Sequence, residues 1–170
     1  MDALQAILTR RSIRQYQPDR PIAPETVEML LRAAMAAPSA RNLRPWEYLV
    51  VEDRQVLDSL SRVHPHGRML AQAPLAIVLC ADPGRQPLEG YWLQDLSAAT
   101  QNLLLAAHAL GLGAVWLGVQ PRPEREAALR EVLGVPDPIR IGMVVAIGHP
   151  AESKEPVDRY DPHRVHRERW

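Results

Sequence analysis

Three arginines and a serine lie within five consecutive residues near the start of the chain, in the run Arg10-Arg11-Ser12-Ile13-Arg14. Guanidinium groups bind phosphate oxygens through paired hydrogen bonds, and a serine hydroxyl adds a short charge-assisted hydrogen bond. A phosphate monoester, which carries nearly two negative charges, is therefore a ligand that suits this run. A basic turn exposed to solvent is the other interpretation, and the run alone does not decide between the two.

Two further segments have the residue types expected beside a planar ring. Pro38-Ser39-Ala40-Arg41-Asn42 is a loop of small residues whose backbone can lie flat against a ring, while Asn42 can contact polar atoms at the ring edge. Trp116-Leu117-Gly118 ends an apolar stretch, and Gly118 allows the backbone to approach a ligand closely. Each segment alone is also typical of an ordinary helix end or strand end. Together with a phosphate at the arginine run, they predict a mononucleotide with a flat heteroaromatic ring.

Other groups of reactive residues do not form a recognisable site. Gly111-Leu112-Gly113 follows a predicted helix and precedes a strand, which reverses the order found in a dinucleotide-binding turn. His64-Pro65-His66 and His163-Arg164-Val165-His166 have spacings compatible with metal ligation, but no third ligand is near in sequence, so we expect no metal site. Ser12 and Ser39 lack the surroundings of a catalytic nucleophile. These exclusions favour chemistry that a cofactor supplies.

Composition indicates the broad class of protein. The 170 residues carry 20 acidic and 20 basic side chains, so no global field attracts nucleic acid or an anionic membrane surface. Cys80 is the only cysteine and lies in an apolar run, which predicts a buried, inert thiol. No apolar stretch reaches the roughly 18 residues of a membrane helix, and the first residues lack a signal-peptide pattern. We therefore expect a cytoplasmic protein with one domain over residues 1–170.

The hydrophobic pattern predicts alternating helices and strands. Helices are expected over residues 2–9, 24–36, 54–62 with Asp53 as N-cap, 91–110 and 124–133, and strands over 46–52, 74–81, 114–119 and 141–147. The helix from Tyr91 to Leu110 is apolar around nearly its whole circumference, which predicts that a second subunit covers one of its faces. The tail from Ala151 to Trp170 is polar yet ends in aromatic residues, which favours docking on another surface.

The chain resembles the nitroreductase-like FMN flavoproteins over essentially its whole length. The matching segments run from Arg10 to Arg14, Ala37 to Trp46, Met69 to Pro74, Asp95 to Gly113, Gly148 to Pro150 and Arg159 to Pro162. The resemblance implies an α+β fold in which helices flank a central, mostly antiparallel mixed sheet. It also implies an intertwined homodimer in which the tail, residues 151–170, docks on the partner subunit.

The resemblance further implies which residues bind FMN at the subunit interface. On the phosphate and ribityl side these are Arg10, Arg11, Ser12, Arg14 and Arg159, with Lys154 as a helper and Arg14 reaching the pyrimidine edge of the ring. Around the isoalloxazine they are Pro38, Ser39, Ala40 and Asn42 from the partner subunit, Trp116, Leu117 and Gly118 on the other side, and Arg68 near the flavin edge. The amide of Gly118 is expected close to the flavin N5 atom.

The implied activity is FMN-dependent NAD(P)H oxidoreduction, with ping-pong hydride transfer through flavin N5 to nitroaromatic, quinone or similar small acceptors. No side chain needs to act as a catalytic acid or base, and Arg14 and Gly118 support the flavin. Three alternatives remain: a specialised reduced-flavin enzyme that dehalogenates a substrate or fragments flavin, a flavin-binding module without turnover, and an interaction protein that binds no flavin. Arg44 occupies a position where glutamine is usual, and the short chain predicts an open, permissive site.

Overall fold

Four antiparallel strands form the centre of the structure, a computed structural model that describes all 170 residues. The strands are Trp46–Val51 (β1), Leu75–Ala81 (β2), Gly113–Gly118 (β3) and Arg140–Gly148 (β4). Their order across the sheet is β1-β2-β4-β3. Every residue of β2 is buried, which confirms the prediction of a strand covered on both faces. The buried run includes Cys80, and burial raises the pKa of its thiol to about 12, as expected of an inert cysteine.

Five helices flank the sheet and complete the predicted α+β fold. They are Ala3–Thr9 (α1), Pro24–Met35 (α2), Arg54–Val63 (α3), Tyr91–Ala109 (α4) and Pro123–Leu133 (α5). Their bounds agree with the sequence prediction to within one or two residues at each end. The predicted cap is confirmed as well, because Asp53 Oδ1 accepts the backbone N–H of Val56 at 3.0 Å. None of the helices combines the length and apolar character needed to cross a membrane.

One face of α4 packs into the core and another remains open. Leu96, Leu103 and Ala107 are fully buried against the sheet and α2, whereas Gln101 and Ala109 are exposed. An apolar groove of about 470 Å³ runs between α1, α2 and α4, and Leu105 lies on its wall. The predicted cover from a second subunit therefore remains a prediction.

A buried carboxylate ties α5 to β4. Glu126 is 7% exposed and accepts hydrogen bonds from Arg140 Nε at 2.9 Å, the Ile141 N–H at 3.0 Å and Gln120 Nε2 at 2.6 Å. Burial alone would raise the pKa of Glu126, but these hydrogen bonds outweigh it and lower the pKa below its ordinary value. The hydrophobic pattern gave no indication of this charged cluster.

The outer edge of β3 is paired only at its start. Ser12 forms a parallel bridge with Ala114, whose carbonyl accepts the N–H of Ile13 at 3.0 Å. In an antiparallel pair, alternate residues direct both of their backbone groups away from the partner strand. Ala114, Trp116 and Gly118 therefore direct theirs away from β4. The edge beyond Ala114 has no partner strand.

The C-terminal tail returns along the arginine run. Tyr16 and Pro150 form an antiparallel bridge, and the N–H of Ala151 donates to the Gln15 carbonyl at 2.9 Å. The far end of the tail does not pack on its own chain, because Trp170 is fully exposed and only its stacking on His166 is seen. The predicted docking on a partner subunit stays a prediction.

Candidate active site

Three predicted phosphate ligands come together in one cleft of about 670 Å³. Arg10 and Arg11 follow α1 directly, and Arg159 comes from the tail. Gln101 of α4 contributes to the wall, as do Pro156 to Tyr160. The cleft lies within the size range of small-molecule and cofactor sites. Two segments nearly 150 residues apart in sequence thus place three guanidinium groups around one space.

Arg10 has an unsatisfied hydrogen-bond donor in this cleft. Its Nη1 atom is buried and has no hydrogen-bond partner. Burial lowers the pKa of Arg10, and the positive charges of Arg159 and Arg11 lower it further. A buried donor without an acceptor is destabilising, and so is the approach of like charges. An anion with several acceptor oxygens relieves both penalties, so the donor set fits a phosphate.

The neighbouring polar groups are held by the tail. Arg11 donates a guanidinium hydrogen bond to the Glu155 carbonyl. Lys154 Nζ donates to the Ser12 carbonyl at 2.9 Å and pairs with Glu152 at 3.0 Å. The backbone N–H of Arg14 donates to the same Glu152 carboxylate, while the Arg14 side chain is exposed. Lys154 therefore secures the tail to the arginine run in addition to adding positive charge nearby.

Gly118 stands at the open end of β3, further along the edge that begins beside Ser12. A Cβ added at Gly118 would come near only one atom, the Gln120 carbonyl oxygen, at 3.9 Å. At Gly113, by contrast, a Cβ would meet Ile13 Cγ2 at 2.6 Å, so internal packing requires glycine there. Neither packing nor backbone conformation requires glycine at Gly118. The bare backbone leaves room for the close approach of a ligand at the unpaired edge.

The last turn of α3 reaches this same end of β3. His64 follows α3 and its Nε2 atom lies 3.1 Å from the Gly118 carbonyl oxygen, which also accepts Arg125 Nη1 at 3.0 Å. Arg68 lies four residues beyond His64, is exposed, and begins a short 3₁₀ turn. Leu117 is buried and Trp116 is half-buried. The hydrogen bond of His64 thus brings the segment that precedes Arg68 to the Gly118 end of β3.

The Pro38–Asn42 loop lies elsewhere on the chain and is anchored to α4. Asp95, which is 4% exposed, accepts the Ala40 N–H at 2.8 Å, and Ser39 Oγ accepts the Arg44 N–H at 3.0 Å. Arg41, Asn42 and Arg44 all have positive φ angles, between 49° and 56°. Each such residue costs about 1 kcal/mol or more of strain, so the anchors hold the loop in a shape it would not adopt alone.

Within one chain the predicted residues form two groups and not one. The arginine run and the edge of β3 are linked through Ser12, which pairs with Ala114 at the start of that strand. The loop with Pro38, Ser39, Ala40 and Asn42 does not line the cleft. This separation is compatible with a site completed by the loop of a second subunit, which stays a prediction. Sequence reasoning gave no role to His64, Asp95 or Gln101, because burial and hydrogen bonding alone reveal them.

Comparison with known proteins places this geometry in a family. The family model described as the nitroreductase family matches residues 7–66 and 58–149. A candidate NADH dehydrogenase/NAD(P)H nitroreductase of Archaeoglobus fulgidus is 51% identical over 174 residues, covering 99% of this chain and 99% of that protein.

Two solved structures extend the likeness to three dimensions. A candidate NADH dehydrogenase/NAD(P)H nitroreductase from Parabacteroides distasonis superposes with a TM-score of 0.94 at 43% identity, over 98% of each chain. A candidate nitroreductase from Desulfovibrio desulfuricans, solved in complex with FMN, superposes with a TM-score of 0.85 at 34% identity, over 100% of this chain and 99% of that one. Sequence and structure agree over almost the full length: the chain belongs to the nitroreductase family.

Proposed function

We propose that this protein is an FMN-dependent NAD(P)H oxidoreductase that reduces nitroaromatic, quinone or similar small acceptors. The observation that carries the proposal is the buried, unpartnered Nη1 of Arg10 between the charges of Arg11 and Arg159. A related structure that contains FMN supports the choice of anion. Bound FMN supplies hydride acceptance and donation at its N5 atom, which no side chain of this chain provides.

Each part of the site has a distinct task in this proposal. Arg10, Arg11 and Arg159 bind the phosphate, and Ser12 lies beside the ribityl chain. Arg14 places its exposed guanidinium at the pyrimidine edge, where a positive charge stabilises the negative charge of the reduced ring. Gly118 presents bare backbone to the ring at the open edge of β3.

The electron donor and the electron acceptor bind in turn to the same open face of the flavin, and this order gives ping-pong kinetics. The chain fixes the flavin in place, and the gain from holding reactants in the right orientation amounts to several kcal/mol. Arg41 and Arg44 are exposed and form none of the ion pairs in the structure, so their charges remain available near the predicted ring position. Parallel lines in double-reciprocal plots at varied donor and acceptor concentrations would support this order, and intersecting lines would contradict it.

We further propose that residues 1–170 form one domain that works as a homodimer, with the tail docked on the partner. The apolar groove between α1, α2 and α4 supports this, because Ile7 on its wall is 53% exposed, and Leu4 and Leu8 of the same helix are 71% and 69% exposed. Exposed apolar groups of this kind mark protein interfaces. Sedimentation analysis measures the state directly, and a monomer at micromolar concentration would refute the shared site.

The visible spectrum of the purified protein is the primary test. We expect an oxidised-flavin spectrum that bleaches on anaerobic titration with NADH or NADPH. A colourless protein that gains no bound-flavin spectrum on addition of FMN would overturn the proposal. Bound flavin that neither donor reduces would favour a binding module without turnover.

A further inference from the structure

The carbonyl of Gly118 accepts hydrogen bonds from side chains of two different elements. His64 Nε2 lies 3.1 Å from this oxygen directly after α3, and Arg125 Nη1 lies 3.0 Å from it in the first part of α5. A backbone carbonyl has two acceptor lone pairs, so these donors use its full capacity. The last residue of an otherwise open strand edge is therefore held from two directions.

The hydrogen bonds around His64 determine its tautomer. The N–H of His66 donates to His64 Nδ1 at 3.2 Å, so Nδ1 is the acceptor nitrogen and Nε2 carries the proton that Gly118 accepts. His64 is 2% exposed, and this burial lowers the pKa of the ring. The bond to Gly118 opposes that shift, whereas the charges of Arg125 and His66 add to it. His64 is thus a neutral donor at physiological pH.

The orientation of the carbonyl also fixes the orientation of the N–H of the same residue. In an extended strand, both groups of one residue point to the same side. The Gly118 carbonyl points away from β4 to reach His64 and Arg125, so its N–H also points out of the unpaired edge. Gly118 has no side chain to restrain it. His64 and Arg125, together called the clamp below, therefore add to the restraint that comes from its pairing with Met143 of β4.

We propose that His64 and Arg125 are positioning residues that hold the Gly118 N–H towards the flavin ring. The inference rests on the proposed function, since it assigns these residues to a site that FMN occupies. Groups that orient a ligand-contacting atom commonly affect affinity and reactivity although they do not touch the ligand. Metal ligation, the role first considered for His64-Pro65-His66, does not use His64, because both of its ring nitrogens are engaged by backbone groups.

The test compares FMN affinity and flavin midpoint potential across a small set of variants. A misdirected Gly118 N–H can lose at most its own hydrogen bond to the ring, which corresponds to about fivefold in affinity. We therefore expect the double variant of His64→Leu and Arg125→Met to weaken FMN binding about fivefold, and each single variant to weaken it less. An amide N–H favours the oxidised ring, whose N5 is an acceptor. The potential should therefore rise, by about 30 mV for each tenfold loss of oxidised-flavin affinity.

Two further variants separate positioning from general destabilisation. His64→Gln keeps an amide donor near the position of Nε2 and should restore both affinity and potential towards wild type. Arg122→Met removes an exposed arginine at the N-cap of α5 and should match wild type in both readouts. Flavin fluorescence quenching measures affinity, and spectroelectrochemistry measures the potential.

The outcomes are distinct from those that test the proposed function. If wild-type protein binds FMN but the double variant has unchanged affinity and potential, the clamp is refuted while the oxidoreductase assignment stands. If wild-type protein fails to bind FMN, the proposed function and the clamp are refuted together. Should His64→Leu fail to fold, Arg125→Met alone decides, because Arg125 is only half-buried and the Gly118 carbonyl keeps His64 as a donor.

Discussion

Replacement of Arg10 by methionine should stabilise the cofactor-free protein while it weakens the binding of FMN. Arg10 Nη1 is buried without a partner, and Arg11 and Arg159 place like charge nearby. An unpaired buried donor costs ~1–3 kcal/mol, and methionine preserves most of the side-chain packing. We expect a gain of ~1–2 kcal/mol, which corresponds to a rise in unfolding temperature of roughly 2–8 °C for a chain of this length.

The loss of affinity has a different size and depends on the phosphate. A hydrogen bond between charged groups contributes ~1.5–3 kcal/mol, so Arg10→Met should weaken FMN binding by roughly 10- to 150-fold. Riboflavin has the same ring system without the phosphate. Its affinity should change little, because Arg10 then has no anion to bind.

Differential scanning calorimetry of the cofactor-free protein measures the unfolding temperature. Fluorescence titration measures the affinities for FMN and for riboflavin. Arg20→Met is the matched control, since Arg20 is exposed and forms no ion pair, and it should leave each value unchanged. A lower unfolding temperature for Arg10→Met, or equal losses for FMN and riboflavin, would refute a phosphate role for the cleft.

Three further substitutions probe other parts of the molecule. Gly118→Ala should keep the unfolding temperature within ~2 °C of wild type, because its Cβ meets open space, yet weaken FMN binding by about tenfold; calorimetry and titration on the same samples check both. Asp95→Ala should lower the free energy of unfolding by ~1–3 kcal/mol, since the Ala40 N–H loses its acceptor; an unchanged urea midpoint would show that the loop needs no anchor. The pKa of Glu126 is lowered on folding, so its stabilising effect is present above its unfolded pKa of ~4.3 and disappears as the pH falls through the folded value. Glu126→Gln should therefore unfold at a lower temperature at pH 7 and lose less stability on acidification, and parallel pH profiles of unfolding temperature would contradict this account.

The helices and strands were predictable because their residues repeat with the period of each structure. β2 is apolar at every position, and α2 begins with Pro24 and follows a regular apolar stripe, so local pattern and final burial coincide. Asp53 was identifiable as a helix cap for the same reason, since capping depends on residues close in sequence.

The assembly of the site could not be predicted from the local sequence pattern. Arg10 and Arg159 line the same cleft because of the path that the tail takes, and only the family resemblance predicted that they would bind one phosphate. His64 and Glu126 are polar residues whose burial depends on partners more than ten residues away, Gly118 and Arg140. A sequence lists such residues without indicating which of them lose contact with water. The aromatic end of the tail was expected to dock, and on its own chain Trp170 does not.

The unpaired edge of β3 also affects how the cofactor-free protein interacts with other polypeptides. An exposed strand edge is a template for pairing with another polypeptide, and many proteins protect such edges with lysine. The one lysine of this chain, Lys154, comes from the tail and donates to the Ser12 carbonyl, so it lies beside the start of this edge and not along the rest of it. Between Ala114, which Ser12 covers, and Gly118, which His64 and Arg125 hold, the backbone of Trp116 remains available to a second strand. In the proposed holoenzyme, a flavin bound against this edge would also shield the Trp116 backbone from a second strand.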